Sequence, residues 1–215
     1  PEYRLARIKN MWAGSDFAEM LGVSDIITHM GFIPENPNDP EFVPFCEAVK
    51  RVADHLKEND QWLLFETGQE TPVTLLRTIE AIGLDNLGIN LDPANLVMVT
   101  GDDPAKAVHN LKDYIVHTHA KDGTWSGTPT TGERPLGEGN VPFIEYLAAL
   151  RDIGYDGYLT IERECGQNPA SDIKMAVEFL NKLIKEKMSI LVSFRVSFVF
   201  LFISEVLTVF PPVFL

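Results

Sequence analysis

Four times in this chain, a short apolar run stops at a residue able to ligate a metal. Trp62 to Glu66 reads WLLFE and Leu87 to Asp92 reads LGINLD. Tyr114 to His119 reads YIVHTH, and Tyr158 to Glu162 reads YLTIE. Runs this short and this apolar are buried strands, and strands apolar on both faces belong to parallel sheets covered by helices. At each end the polar residue meets a turn or loop, such as Thr67-Gly68 or Pro93. Glu66, Asp92, His119 and Glu162 therefore gather at one edge of the sheet. Three carboxylates and an imidazole form an oxygen-rich set suited to a hard or borderline divalent cation.

The intervals between these runs read as helices. Tyr3 to Leu21 carries Leu5, Ile8 and Trp12 on one side and stops at Gly22. Glu41 to Lys57 repeats Phe42, Phe45, Val49, Val52 and Leu56 at helical spacing. Thr71-Pro72 and Asp103-Pro104 each place a capping side chain before a proline at the first helical position. Gly83 ends the first of these helices. Phe143 to Arg151 and about Ser171 to Lys187 complete the set. A first strand, Val23 to Phe32, carries His29 near its end, ahead of a loop dense in turn formers. A long, polar, glycine-rich loop runs from Lys121 to Asn140. One helix followed by five rounds of strand and helix makes an α/β fold with a parallel sheet. Right-handed crossovers curl such a sheet towards a barrel.

A net charge of −13 argues against nucleic acid as a partner. Cys46 and Cys165 are too few for a disulfide framework, which makes the cytoplasm the default compartment. From Met188 the composition turns abruptly apolar, SILVSFRVSFVFLFISEVLTVFPPVFL. The run is long enough to span a bilayer, although Arg195 and Glu205 interrupt it. It reads as sequence foreign to the domain, as a membrane anchor, or as a segment covering the barrel. The chain thus divides into a domain at 1–187 and an apolar tail at 188–215.

The segments ITHMGFIPE, LLFETGQETP, GINLDPANL, VHTHAKDG, RPLGEG and YDGYLTIERE, in this order, resemble the sugar phosphate isomerase/epimerase family. That family has the xylose isomerase-like TIM barrel. The resemblance implies a partial (β/α)8 barrel, strands four to eight, with the first three β/α units preceding Pro1. Such a chain has open sheet edges, which invite a second copy, and is not expected to be a stable monomeric enzyme alone. The resemblance implies a divalent metal, Mn²⁺ first and Mg²⁺, Co²⁺ or Zn²⁺ otherwise, held by Glu66, Asp92, His119 and Glu162. It implies Glu66 and Glu162 as the acid/base pair of an isomerase or epimerase working through a metal-stabilised enediolate. It matches Arg134 to an arginine that contacts the sugar or sugar phosphate substrate, and leaves His117 as a support behind the ligands, a substrate contact or a core histidine. His29 faces either the site or the core, Lys121 is a candidate anchor for a sugar hydroxyl or phosphate, and Asn95 is a further candidate contact. Asn95 and the Ala120-Lys121-Asp122 segment depart from the ketose 3-epimerase pattern, which has a histidine and a glutamate at those places. An endonuclease-IV-like metal hydrolase on the same barrel is the alternative. It needs several metals, more histidines and a basic face, whereas this chain is acidic.

Overall fold

In the computed structural model, residues 2–128, 131–187 and 194–199 are described. Six strands form one wholly parallel sheet: β1 Asp25–Thr28, β2 Trp62–Glu66, β3 Leu87–Leu91, β4 Ile115–Ala120, β7 Tyr158–Glu162 and β8 Arg195–Val199. They are ordered β1-β2-β3-β4-β7-β8. Two short strands, β5 Asp122–Gly123 and β6 Glu133–Arg134, pair antiparallel within the long loop after β4. The helices are α1 Glu2–Met20, α2 Phe42–Glu58, α3 Pro72–Ile82, the single turn α4 Pro93–Asn95, α5 Pro104–Leu111, α6 Phe143–Asp152 and α7 Pro169–Lys187. A π-helical turn, Leu96–Thr100, follows α4 directly.

Local chemistry starts and stops the helices where expected. The Thr71 hydroxyl accepts from the Thr74 N–H, with Pro72 as the first helical residue of α3. Gly83 ends α3 at φ 69°, a left-handed conformation that glycine adopts without penalty. Asp103 caps α5 by accepting from the Ala105 and Lys106 N–H groups. In α1, Ile8 is buried and Trp12 is half-buried, its indole N–H donating to the Arg51 carbonyl, but Leu5 is exposed.

The core lies between the sheet and its helices. Leu63 and Phe65 of β2 and Ile89 and Leu91 of β3 are fully buried. They pack with Leu75 and Ile79 of α3, Val108 and Leu111 of α5, and Tyr146, Leu147 and Leu150 of α6. Each such side chain stabilises the fold by roughly 1.5–3 kcal/mol. Gly88 marks a close approach inside β3, because a Cβ there would come within 2.7 Å of both Leu64 and Val116.

The sheet has one strand more than the five read from the sequence. Arg195–Val199, from the apolar tail, pairs with β7 in parallel over five residues, from Tyr158↔Arg195 to Glu162↔Val199. Its alternation of polar and apolar residues, RVSFV, is a strand pattern hidden inside a longer apolar run. The remainder of the tail lies outside the described residues, apart from the buried Phe194. Among the described residues, no helix is long and apolar enough to cross a membrane.

Candidate metal centre

Parallel pairing brings the four strand ends together. Strand β2 lies beside β3, β3 beside β4, and β4 beside β7. Their C-terminal ends therefore share one edge, with alternate side chains on one face. Glu66, Asp92, His119 and Glu162 each offer a ligand atom there, and these atoms all lie within 4.8 Å of one another. His119 Nδ1 is 3.3 Å from Glu66 Oε1, 3.5 Å from Asp92 Oδ2 and 3.4 Å from Glu162 Oε2.

Asp92 shows the division of labour most clearly. Its Oδ1 caps α4 by accepting from the Ala94 and Asn95 N–H groups. Its Oδ2 is buried without a hydrogen-bond partner and faces His119. A buried, unpaired carboxylate oxygen is costly unless a cation or proton meets it. The donor set and this orphaned oxygen fit a divalent cation.

The electrostatics carry the same demand. Burial disfavours the His119 imidazolium, yet Asp92, Glu162 and Glu66 overcome it and hold the pKa well above its ordinary value. Burial likewise opposes the Glu162 charge, but His119 and Lys121 hold that carboxyl at about 2. Lys121 is itself buried. Its ammonium donates to Glu162 Oε2 at 2.7 Å and to Glu164, and it lies 3.9 Å from Asp92 Oδ2. Three clustered carboxylates thus recruit every nearby proton-bearing group.

The other residues singled out in the sequence take different places. His29 follows β1 at the rim, half-exposed, with Nε2 3.7 Å from Glu66 Oε1. It lines a small cavity of about 160 Å³ with Met30, Gly31, Gly68, Gln69 and Glu70. His117 lies one step below the group. Its Nδ1 is 2.7 Å from Asn90 Oδ1 and its Nε2 2.8 Å from Thr160 Oγ1. Burial, then the neighbouring His119, lowers its pKa to about 4, so the ring is neutral. A neutral ring donates through Nδ1 to the amide oxygen and accepts through Nε2 from the hydroxyl. Asn95 is buried and its amide donates to the Thr67 carbonyl, tying the β2 and β3 loops together. Arg134 is exposed and donates to the Glu133 carbonyl of its own loop.

Several supporting residues escaped the sequence reading. Asn90, Thr160 and Ser197 form a polar row with His117 beneath the metal group, with Thr160 Oγ1 2.8 Å from Ser197 Oγ. The signal was present for two of them. Asn90 and Thr160, like His117, each sit two positions before a member of the candidate metal group, hence on the same face of their strands. Asp122 escaped as well. Its two oxygens accept four backbone N–H groups, from Gly123, Gly137, Gly139 and Val141, and so fold the long loop around one carboxylate.

A parallel α/β sheet with a carboxylate–histidine group at its strand ends defines a β/α-barrel-type protein with a group that could hold a metal ion. The sequence profile of the xylose isomerase-like TIM barrel family matches residues 1–183, and the chain belongs to that family. It is 33% identical over 178 residues to an uncharacterized protein of Methanocaldococcus jannaschii, covering 76% of this chain and 58% of the relative. It is 25% identical over 154 residues to an inosose dehydratase of Lacticaseibacillus casei, covering 61% of this chain and 49% of the relative. The chain therefore spans about half the length of the curated relatives it matches. A crystal structure of a xylose isomerase domain protein from Planctomyces limnophilus superposes with a TM-score of 0.78 at 34% identity, covering 86% of this chain and 67% of that one.

Proposed function

We propose that the chain carries the metal centre and the acid/base pair of a sugar, or sugar phosphate, isomerase or epimerase. The observation that carries this reading is the convergence of ligand atoms of Glu66, Asp92, His119 and Glu162 within 4.8 Å, with Asp92 Oδ2 buried and without a hydrogen-bond partner. Family membership supports it. A bound divalent cation, with Mn²⁺ our first choice and Mg²⁺, Co²⁺ or Zn²⁺ the others, supplies Lewis-acid polarisation of the substrate carbonyl. Glu66 Oε1 and Glu162 Oε2 lie 3.3 and 3.4 Å from His119 Nδ1. One takes the proton from the carbon next to the carbonyl, and the other returns a proton to the neighbouring carbon or the opposite face. Lys121 fixes Glu162 in its ionised form by its ammonium hydrogen bond. His29, at the rim beside Glu66, is placed to meet a substrate hydroxyl.

A second reading, a dehydratase, is favoured by the inosose dehydratase relative. The same proton abstraction next to a carbonyl, followed by loss of the β-hydroxyl as water, needs the same pair. Metal-assisted hydrolysis of nucleic acid finds less support. One metal-ligating group is present among the described residues, and the chain's net charge is −13.

Deuterium exchange separates these readings. With Mn²⁺ present, ketoses incubated in D₂O should acquire deuterium at C1 or C3 and yield isomers of unchanged heavy-atom mass. Products lighter by one water would establish the dehydratase. Hydrolytic products in place of isomers would sink the isomerase reading.

A further inference from the structure

Glu162 is followed by Arg163 and Glu164, and all three side chains are held. On the inner side, Lys121 donates to both Glu162 and Glu164. On the other side, the Arg163 guanidinium is buried between two carboxylates. Its Nη1 donates to Glu133 Oε1 and its Nε to Asp172 Oδ2 at 2.8 Å. Glu133 belongs to β6, in the long loop after the His119 strand, and Asp172 to the first turn of α7. Glu133 Oε1 also accepts from the backbone N–H groups of Glu164 and Cys165. One buried carboxylate therefore caps the C-terminal end of β7 immediately beyond Glu162. The turn after it is fitted to the same pair. Gly166 sits at φ 110°, and a Cβ there would fall 2.7 Å from Arg163 Nη2 and 2.9 Å from Asp172 Oδ2.

We infer that Glu133 and Arg163 are positioning residues that fix Glu162 in the metal centre, so that the loop after the His119 strand sets the geometry of the ligand on the strand beside it. Neither residue reaches the metal group. They act because a ligand carboxylate is only as well placed as the backbone that carries it, and this backbone is tied by Glu133 at the Glu164 and Cys165 N–H groups and, through the Arg163 side chain, by Glu133 and Asp172. Partners of this kind, one step behind a ligand, typically change metal affinity 10–100-fold when removed. The inference rests on the metal-centre reading above, and its test separates the two.

Mn²⁺ affinity is measured by calorimetry for Glu133→Gln, Arg163→Met and Arg163→Lys, with Glu66→Gln alongside, and thermal melting monitors folding. Glu133→Gln is nearly isosteric, so it keeps the inference testable if Arg163→Met does not fold. Both Glu133→Gln and Arg163→Met should weaken Mn²⁺ binding by about 10-fold or more. At saturating Co²⁺ they should also shift the visible absorption bands, which report ligand geometry. Arg163→Lys, which keeps one charged contact, should recover part of both. A purely structural role would lower the melting temperature and leave the Co²⁺ spectrum of the folded, loaded protein unchanged, and that result would overturn the inference. If Glu66→Gln weakens Mn²⁺ binding while Glu133→Gln does not, the positioning role fails alone. If Glu66→Gln leaves binding intact, the metal-centre reading fails and takes the inference with it.

Discussion

Asp92→Asn should abolish high-affinity divalent binding while leaving the fold intact. The amide oxygen can still accept from the Ala94 and Asn95 N–H groups, so the cap of α4 survives. What changes is Oδ2, the buried oxygen with no hydrogen-bond partner, which becomes an NH₂ with no lone pair for a cation. We expect a loss on the order of 100-fold or more in Mn²⁺ affinity, about 2.8 kcal/mol or more. The metal-free variant should still melt cooperatively but somewhat below the parent, because the His119 imidazolium and the Lys121 ammonium lose a buried carboxylate beside them. The rise in melting temperature that metal confers on the parent should disappear. A variant whose melting temperature still rises with Mn²⁺ as the parent's does would place the ion elsewhere.

The same centre predicts a pH dependence of known sign. The pKa of His119 stands well above its ordinary value in the folded chain, so near neutral pH the ring holds a proton that coordination must displace. Divalent affinity should therefore rise with pH, by about tenfold per unit while that proton is bound. For the chelated protein, the raised pKa makes this group's contribution to stability complete below its unfolded value of 6.5 and lost as pH rises through the folded one. The metal-free chain should weaken in alkaline solution, and saturating Mn²⁺ should reverse the trend. Calorimetry and melting curves between pH 5.5 and 9 measure both.

The four residues of the candidate metal group were legible because each stands at a strand end, and parallel neighbours bring those ends to one edge. The helices with a threonine or aspartate before a proline were legible because the cap and the proline act within a single turn. Long-range support was not. Nothing local in GERPLGEGN says that Glu133 reaches Arg163, thirty residues on, or that Asp122 collects N–H groups from Gly137, Gly139 and Val141. Arg134 illustrates the reverse difficulty. A guanidinium in a site loop reads as a substrate contact, and nothing in the sequence says that it also donates to the carbonyl beside it. β8 was hidden because the apolar residues around it drown its alternation, and only the register with β7 picks it out.

A single substitution at Asp122 should cost the fold as much as emptying a core position. Its Oδ1 accepts from the Gly123 and Val141 N–H groups at 2.8 and 3.0 Å, and its Oδ2 from Gly137 and Gly139 at 2.9 and 3.0 Å. Burial pushes the carboxyl pKa up, and the four N–H donors act against it. Asp122→Ala strands all four donors, two of them in bonds wholly buried from water. Each stranded buried donor costs about 1–3 kcal/mol, and the loss should total about 3–5 kcal/mol because the loop relaxes partly towards solvent. That is a large share of a domain stability of roughly 5–15 kcal/mol. Asp122→Asn keeps one acceptor oxygen but turns an NH₂ towards two N–H donors, so it should cost about half as much. Gly139→Ala attacks the same device from the other side, because its Cβ would overlap Asp122 Oδ1. It should therefore destabilise nearly as much, and adding it to Asp122→Ala should cost less than the sum of the two, since the Asp122 overlap is gone while the 2.5 Å approach to the Gly123 backbone nitrogen remains. Urea unfolding of the two single variants and the double variant measures all three. Full additivity, or an Asp122→Ala loss under about 1 kcal/mol, would show that the loop is held by something other than this carboxylate.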